Sequence, residues 1–279
     1  MTFPWLKGHG TENDFVLLPD HDGTVHGELD PDFVAALCHR RRGIGADGVM
    51  RVVRSTALGE ESAGEWFMDY RNADGSVSEM CGNGIRVFAL HLAQEGLVDP
   101  SERLVVGTRD GDKSITFLRP QGTEIGDQIS VDMGKPEVRG VSKVTADGRT
   151  WEAQDVRTGN PHAVAFVERL SDAGSLLVEP EYDAATYPEG VNFEFVVREA
   201  PQHVSMRVHE RGSGETRSCG TGACAVAAAT AHVDGAAHPV TYRVDVPGGT
   251  VHVTWNADDH LILTGPAEIV ARGDMAWIA

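Results

Sequence analysis

The stretch Met80-Cys81-Gly82-Asn83-Gly84 returns 138 positions later as Ser218-Cys219-Gly220-Thr221-Gly222. Each copy opens a helix, and each follows a glycine-serine pair and a glutamate: Gly75, Ser76 and Glu79 in the first, Gly212, Ser213 and Glu215 in the second. A pair further upstream also recurs, Asn13-Asp14-Phe15-Val16 against Asn160-Pro161-His162-Ala163-Val164, offset by 147. Two copies of one strand-rich α/β unit account for both offsets if loop insertions supply the difference. The junction falls in the polar, glycine-rich stretch 120–128, and Gly265-Pro266 marks a return of the last residues to the first unit. The expected domains are therefore 1–125 with 266–279, and 126–265.

Alternating apolar runs predict strands over 14–18, 48–53, 65–70, 103–108, 114–118, 128–133, 163–167, 192–197, 204–209, 241–246, 250–255 and 261–263. Besides the helices after Cys81 and Cys219, Asp30 before Pro31 predicts a capped helix that Gly43 stops, and a short one follows Ser171. The Arg40-Arg41-Arg42 run reads as the solvated end of that capped helix.

The chain has 279 residues, 41% hydrophobic and 24% charged, which excludes a disordered or fibrous protein. Its 42 acidic against 24 basic side chains leave a net charge of -18, a field that repels nucleic acid and anionic membrane surfaces. The densest apolar stretch, 223–233, is shorter than a bilayer span, and no basic segment followed by an apolar core opens the chain. A soluble, cytoplasmic protein is expected. Four cysteines lack the spacing of a zinc knuckle and are too few for a disulfide scaffold. Cys38 and Cys224 sit in apolar helical patterns and read as core thiols. Only Lys7, Lys113, Lys135 and Lys143 could form a Schiff base, and no dense His and carboxylate cluster suggests a metal. No cofactor and no metal are expected.

A Cys-Gly-x-Gly element before a helix lets backbone N–H groups and the positive end of the dipole approach an anion. The same field is expected to lower the pKa of the thiol. Two such elements can offer one thiol to each face of a carbon, which inversion of configuration requires: one group removes the proton and an acid returns it on the other side. Helix N–H groups would stabilise the enediolate formed beside a carboxylate.

Lys7-Gly8-His9-Gly10-Thr11-Glu12-Asn13-Asp14-Phe15-Val16, Arg42-Gly43-Ile44-Gly45-Ala46-Asp47-Gly48, Asn72-Ala73-Asp74-Gly75-Ser76, the two cysteine elements, Gly159-Asn160-Pro161-His162, Gly190-Val191-Asn192-Phe193-Glu194-Phe195 and Glu210-Arg211-Gly212 together resemble the diaminopimelate epimerase family, in its order and with about its spacing. The resemblance implies an α/β (α+β) fold of two pseudosymmetric domains, each a mixed, mostly antiparallel sheet wrapped around a central helix. It implies cofactor-independent interconversion of LL- and meso-diaminopimelate by a homodimer, for lysine and peptidoglycan precursors. Cys81 and Cys219 become the acid-base thiols. Backbone N–H groups of Gly82, Asn83, Gly220 and Thr221 would hold the carboxylate of the reacting centre. Asn13, Asn72, Asn160, Asn192, Glu210 and Arg211 would grip the amino acid, with Arg211 forking onto its distal carboxylate; His162 and Glu210 would tune the thiols.

The chain departs from the family at Glu12, where glycine is usual, and at Gly48, where some members have glutamine. Two other readings share parts of the pattern. A thiol-based racemase of proline-like substrates needs the paired Cys-Gly elements but not Glu210, Arg211 and four asparagines. A redox-sensing or ligand-binding module would bind without exchanging the substrate's α-hydrogen.

Overall fold

The computed structural model describes residues 2–118 and 128–276. The chain divides into two compact units, Met1–Val131 with Gly265–Ala279, and Asp132–Thr264. The expected junction at 125/126 lies outside the described residues.

In chain order the first unit has β1 (Thr2–Gly10), β2 (Asn13–Pro19), α1 (Pro31–Cys38), β3 (Gly48–Arg54), α2 (Ser55–Leu58), β4 (Trp66–Asn72), α3 (Gly82–Gln94), β5 (Leu104–Gly107), β6 (Lys113–Phe117) and β7 (Ile129–Asp132). The second has β8 (Glu137–Ala146), β9 (Arg149–Thr158), β10 (Asn160–Phe166), a 3-10 turn (Leu170–Ala173), β11 (Glu181–Tyr182), β12 (Asn192–Ala200), β13 (His203–Glu210), β14 (Gly214–Thr216), α4 (Gly220–Asp234), β15 (Val240–Val246), β16 (Gly249–Trp255) and β17 (Leu261–Gly265). The last strand, β18 (Glu268–Ala276), belongs to the first unit and pairs antiparallel with β1.

From β1 to β7 the pairings run antiparallel, parallel, antiparallel, parallel, antiparallel, antiparallel. From β9 through β10, β12, β13, β15 and β16 to β17 the same series repeats. Even β18 on β1 has its counterpart in β8 on β9. The repeat in sequence is thus a repeat in topology. Corresponding strand ends carry corresponding residues: Asn13 and Asn160 begin β2 and β10, Gly48 and Asn192 begin β3 and β12, and Asn72 and Glu210 end β4 and β13.

Each unit has one central helix. α3 is buried at every residue from Gly82 to Ala93 and packs on β1, β2, β3 and β18. α4 is buried nearly as fully and is rich in alanine, so β9, β10, β15 and β16 approach its axis closely. A helix without a polar stripe has no face to turn to water and must be enclosed. Around α4 the strands contribute Val156, Val164, Val196, Met206, Val244, Val253 and Leu263.

Several expectations need correction. The Asp30 side chain caps α1 by accepting from Phe33 N at 3.0 Å, but the helix stops at Cys38, well before Gly43. His39 turns extended, and its Nδ1 accepts from the N–H groups of Arg41 and Arg42 at 3.1 Å. The arginine run is therefore a turn, and Arg40 leaves it to bind Asp14 and Asp47. Strands β1, β8, β9 and β18 were not expected. β18 has mostly exposed side chains and so lacks the apolar alternation that announces a strand, and in β8 the buried alternation of Ser142, Val144 and Ala146 is confined to the second half.

Candidate active site

In the first unit Cys81 is the N-cap of α3, with extended backbone and a sulfur that accepts from Gly84 N at 3.4 Å. Asn13 lies beside it: its Oδ1 is 3.7 Å from Cys81 Sγ and accepts from Asn83 Nδ2 at 3.2 Å. The other end of the Asn13 amide donates to Asp47 at 2.8 Å, which fixes its orientation. Behind them the wholly buried Arg86 donates to Gly82 O at 3.1 Å and to Asn83 Oδ1 at 3.0 Å. Asn72, at the end of β4, donates to Ser76 Oγ at 3.0 Å across a turn in which Gly75 has φ +85°.

The two departures from the family have physical consequences here. Thr11 and Glu12 form the two-residue loop between β1 and β2, both with positive φ, +52° and +63°. That is the backbone of a type I′ hairpin turn, in which glycine is the unstrained residue. At Gly48 a Cβ would stand 2.5 Å from Tyr70 Cε2 and 2.6 Å from Arg71 O, so no side chain fits without displacing Tyr70 or the backbone of β4.

The second unit repeats the thiol. Cys219 is the N-cap of α4, its sulfur accepts from Gly222 N at 3.4 Å, and Thr221 Oγ1 lies 3.5 Å away. Gly82 and Asn83, like Gly220 and Thr221, are the first two residues of their helices, where N–H groups point out of the helix end. His162 is fully buried; its Nδ1 is 2.6 Å from Glu194 Oε1 and its Nε2 is 2.8 Å from Asn160 Oδ1. Asn192 is engaged at both ends, donating to Pro161 O at 3.2 Å and accepting from Arg211 N at 2.9 Å. The Arg211 stem lies over Gly190, and its Nη1 donates to Glu189 O at 2.6 Å. Glu210 accepts from Thr216 Oγ1.

Electrostatics at Cys219 overturn the expectation of a depressed thiol pKa. Burial raises the thiol well above its ordinary value, and the carboxylates of Glu210 and Glu194 raise it further. The Thr221 and Gly222 donors pull the other way and are outweighed. Burial likewise raises Glu210, with Glu194 adding to it, against the lowering effect of Thr216, Cys219 and His162. Burial and two neighbouring carboxylates thus both oppose the thiolate at Cys219, against the pull of the helix end.

The structure brings Asn13, Cys81 and Asn83 together in one unit, and Asn160, His162, Glu210, Cys219 and Thr221 in the other. Asn192 and Arg211 are tied to each other. Glu194 was missed by sequence reasoning. Its signal is a single charge in the run Asn192-Phe193-Glu194-Phe195-Val196, all of which is buried. Among the described residues no three His, Cys, Asp or Glu side chains converge to hold a metal ion, and no helix is long and apolar enough to cross a membrane.

A family model described as diaminopimelate epimerase matches residues 5–139 and 155–270. The diaminopimelate epimerase of Streptomyces coelicolor is 53% identical over 287 residues, covering 98% of this chain and 96% of that protein. That of Corynebacterium glutamicum is 45% identical over 280 residues, 99% of each chain. Among solved structures, a phenazine biosynthesis protein of the PhzF family from Bacillus anthracis aligns with TM-score 0.73 at 15% identity, over 99% of this chain and 100% of that one. A hydroxyproline epimerase from Agrobacterium vitis gives 0.70 at 17% identity, over 98% and 92%. At such identities the structures share the fold, whereas the sequence matches carry the family. Matched along most of its length by the family model and by full-length relatives, the chain belongs to the diaminopimelate epimerase family.

Proposed function

We propose that this protein interconverts LL- and meso-2,6-diaminopimelate without a cofactor, by proton transfer at one α-carbon between the thiols of Cys81 and Cys219. The observation that carries the reading is the duplicated cap: in each unit a cysteine sulfur accepts the N–H of the third residue of a buried helix. Such a thiol stands beside helix N–H groups that can hold a carboxylate, so the base and the electrostatic stabiliser of the carbanion come from one element.

One thiol starts as the base and the other, protonated, as the acid; the opposite stereoisomer uses the pair with the roles exchanged. As the α-proton leaves, charge moves onto the substrate carboxylate, which Gly82, Asn83, Gly220 and Thr221 stabilise through backbone N–H groups. Asn13, Asn72 and Asn160 bind the polar groups of the amino acid, and Glu210 and Arg211 meet its distal amino-acid end. Asn192 holds Arg211 in place through its backbone N–H. His162 and Glu210 set the proton affinity of Cys219. The protein works in the cytoplasm as a homodimer, supplying lysine and peptidoglycan precursors; sedimentation at working concentration tests the dimer.

The deciding experiment is incubation with LL-diaminopimelate in deuterium oxide. The expected result is appearance of the meso isomer with deuterium at the inverted carbon. Binding without α-hydrogen exchange removes the enzyme reading, and turnover of proline in preference to diaminopimelate removes the substrate assignment.

A further inference from the structure

Glu194 has no part in the proposed reaction so far, yet its burial is costly. Both it and His162 are fully buried. One of its oxygens, Oε1, lies 2.6 Å from His162 Nδ1, and the other, Oε2, meets no donor among the described residues. The carboxylate presses on the first turn of α4, since a Cβ on Gly222 would stand 2.8 Å from Oε1. The acidic Glu210 and Cys219 are its close electrostatic neighbours. A buried carboxylate with an unsatisfied oxygen persists when a partner supplies both a hydrogen bond and an opposite charge.

His162 can supply both. The parallel register of β10 with β12, His162 beside Asn192 and Val164 beside Glu194, brings the imidazole to the carboxylate. On the far side of the ring Nε2 lies 2.8 Å from Asn160 Oδ1. A ring with an oxygen at hydrogen-bond distance from each nitrogen satisfies both as an imidazolium, donating on either side. A neutral ring protonated at Nδ1 would instead need Asn160 turned over, presenting its NH2 group to the bare Nε2. The charge on Glu194 separates these two arrangements.

We propose that Glu194 is a positioning residue, whose buried carboxylate pairs with a His162 imidazolium and so holds Asn160 with Oδ1 on the ring and its NH2 group turned outward as a donor for the substrate. The last step rests on the substrate-binding role proposed above for Asn160. The relay spans three strand residues, Glu194 to His162 to Asn160, and converts a charge inside the core into the hydrogen-bonding polarity of an amide at its edge. Such an amide recognises an anionic oxygen, as in a carboxylate, in preference to an ammonium group.

The test is nitrogen NMR of the histidine rings in uniformly 15N-labelled, ligand-free protein at neutral pH, with His162 assigned from a His162→Asn spectrum. The wild type should show protons on both His162 nitrogens, Glu194→Gln on one, and Glu194→Asp on both. A bare ring nitrogen in the wild type overturns the proposal even if no variant folds, and so does a Glu194→Gln ring that keeps both protons. In turnover assays Glu194→Gln should raise KM by about tenfold or more, the loss of one hydrogen bond to a charged group, with a smaller change in kcat. An unchanged KM overturns the step to Asn160. Because the spectra need no substrate, they separate failure of the relay from failure of the epimerase reading, which would appear as a wild type inert toward diaminopimelate.

Discussion

Gly84 and Gly222 occupy the same place in the two repeats, and the structure predicts different outcomes when each becomes alanine. Each is the third residue of its helix, and each donates its N–H to the cysteine sulfur. Alanine in a helix is favoured over glycine by about 0.5–1 kcal/mol, so without new contacts both changes would stabilise. At position 84 the new Cβ would meet Met50 Sδ at 3.1 Å, Cys81 Cβ at 3.4 Å and Phe15 Cε1 at 3.5 Å. The thioether is flexible and can retreat by a few tenths of an ångström, so Gly84→Ala should lie within about 0.5 kcal/mol of wild type. At position 222 the Cβ would meet Glu194 Oε1 at 2.8 Å, Cys219 Cβ at 3.2 Å and Cys219 Sγ at 3.3 Å. The same carboxylate oxygen is held by His162 at 2.6 Å, so it withdraws only by giving up that contact, and the sulfur is tied to the same helix end. Overpacking of this kind costs about 1–3 kcal/mol, leaving Gly222→Ala about 1–2 kcal/mol less stable than wild type. The thiol must also move, and a displacement approaching 1 Å at a reacting group lowers turnover on the order of 100-fold. Urea unfolding and LL-diaminopimelate turnover, measured on both variants, read the contrast. Equal stability and equal turnover in the two would refute the packing argument.

Alanine at Cys81 or at Cys219 should lower epimerisation by about 10²–10⁴-fold or more with circular dichroism unchanged, since each thiol serves one proton transfer; normal turnover in either variant sinks the two-thiol mechanism. Glu12→Gly should stabilise the protein by about 0.5–1 kcal/mol in urea titrations, because relief of a left-handed residue exceeds the entropy lost by freeing the unfolded chain; lowered stability would contradict it. His91, buried in α3 with neither ring nitrogen meeting a partner among the described residues, is pushed down to about 4 by burial from an ordinary value of 6.5. A depressed pKa in the folded state means a contribution present above the unfolded value and lost as pH falls from 6.5 toward 4. His91→Leu should therefore gain about 1 kcal/mol at neutral pH and more at pH 4.5. A stability difference that ignores pH across that window would show that the imidazole is solvated.

How far the site could be read from sequence depended on how local its determinants are. The two helix starts were legible because Cys-Gly-x-Gly and the apolar run behind it lie within a few residues. The strand start at Asn192 and the Asp30 cap were legible for the same reason. The end of α1 was not, because Arg40 is drawn away by Asp14 and Asp47 on other segments. Strand β18 escaped because it is identified by its neighbour's hydrogen bonds, with little apolar surface of its own to bury, and β8 because only its second half alternates, with Val144 between the small Ser142 and Ala146.

The sequence alone determined the duplicated architecture, the family and the pair of thiols, since all three rest on residue type and spacing along the chain. Only the tertiary structure decided the electrostatic surroundings of the second thiol. A helix N-terminus by itself favours thiolate, but the fold buries Cys219 and sets Glu210 and Glu194 beside it, and desolvation with two like charges outweighs the helix end. It likewise decided the place of Glu194, an acidic residue whose partners lie on β10 and α4, more than twenty residues away in either direction. Charges and burial act through space, and the sequence records only the order of the groups that feel them.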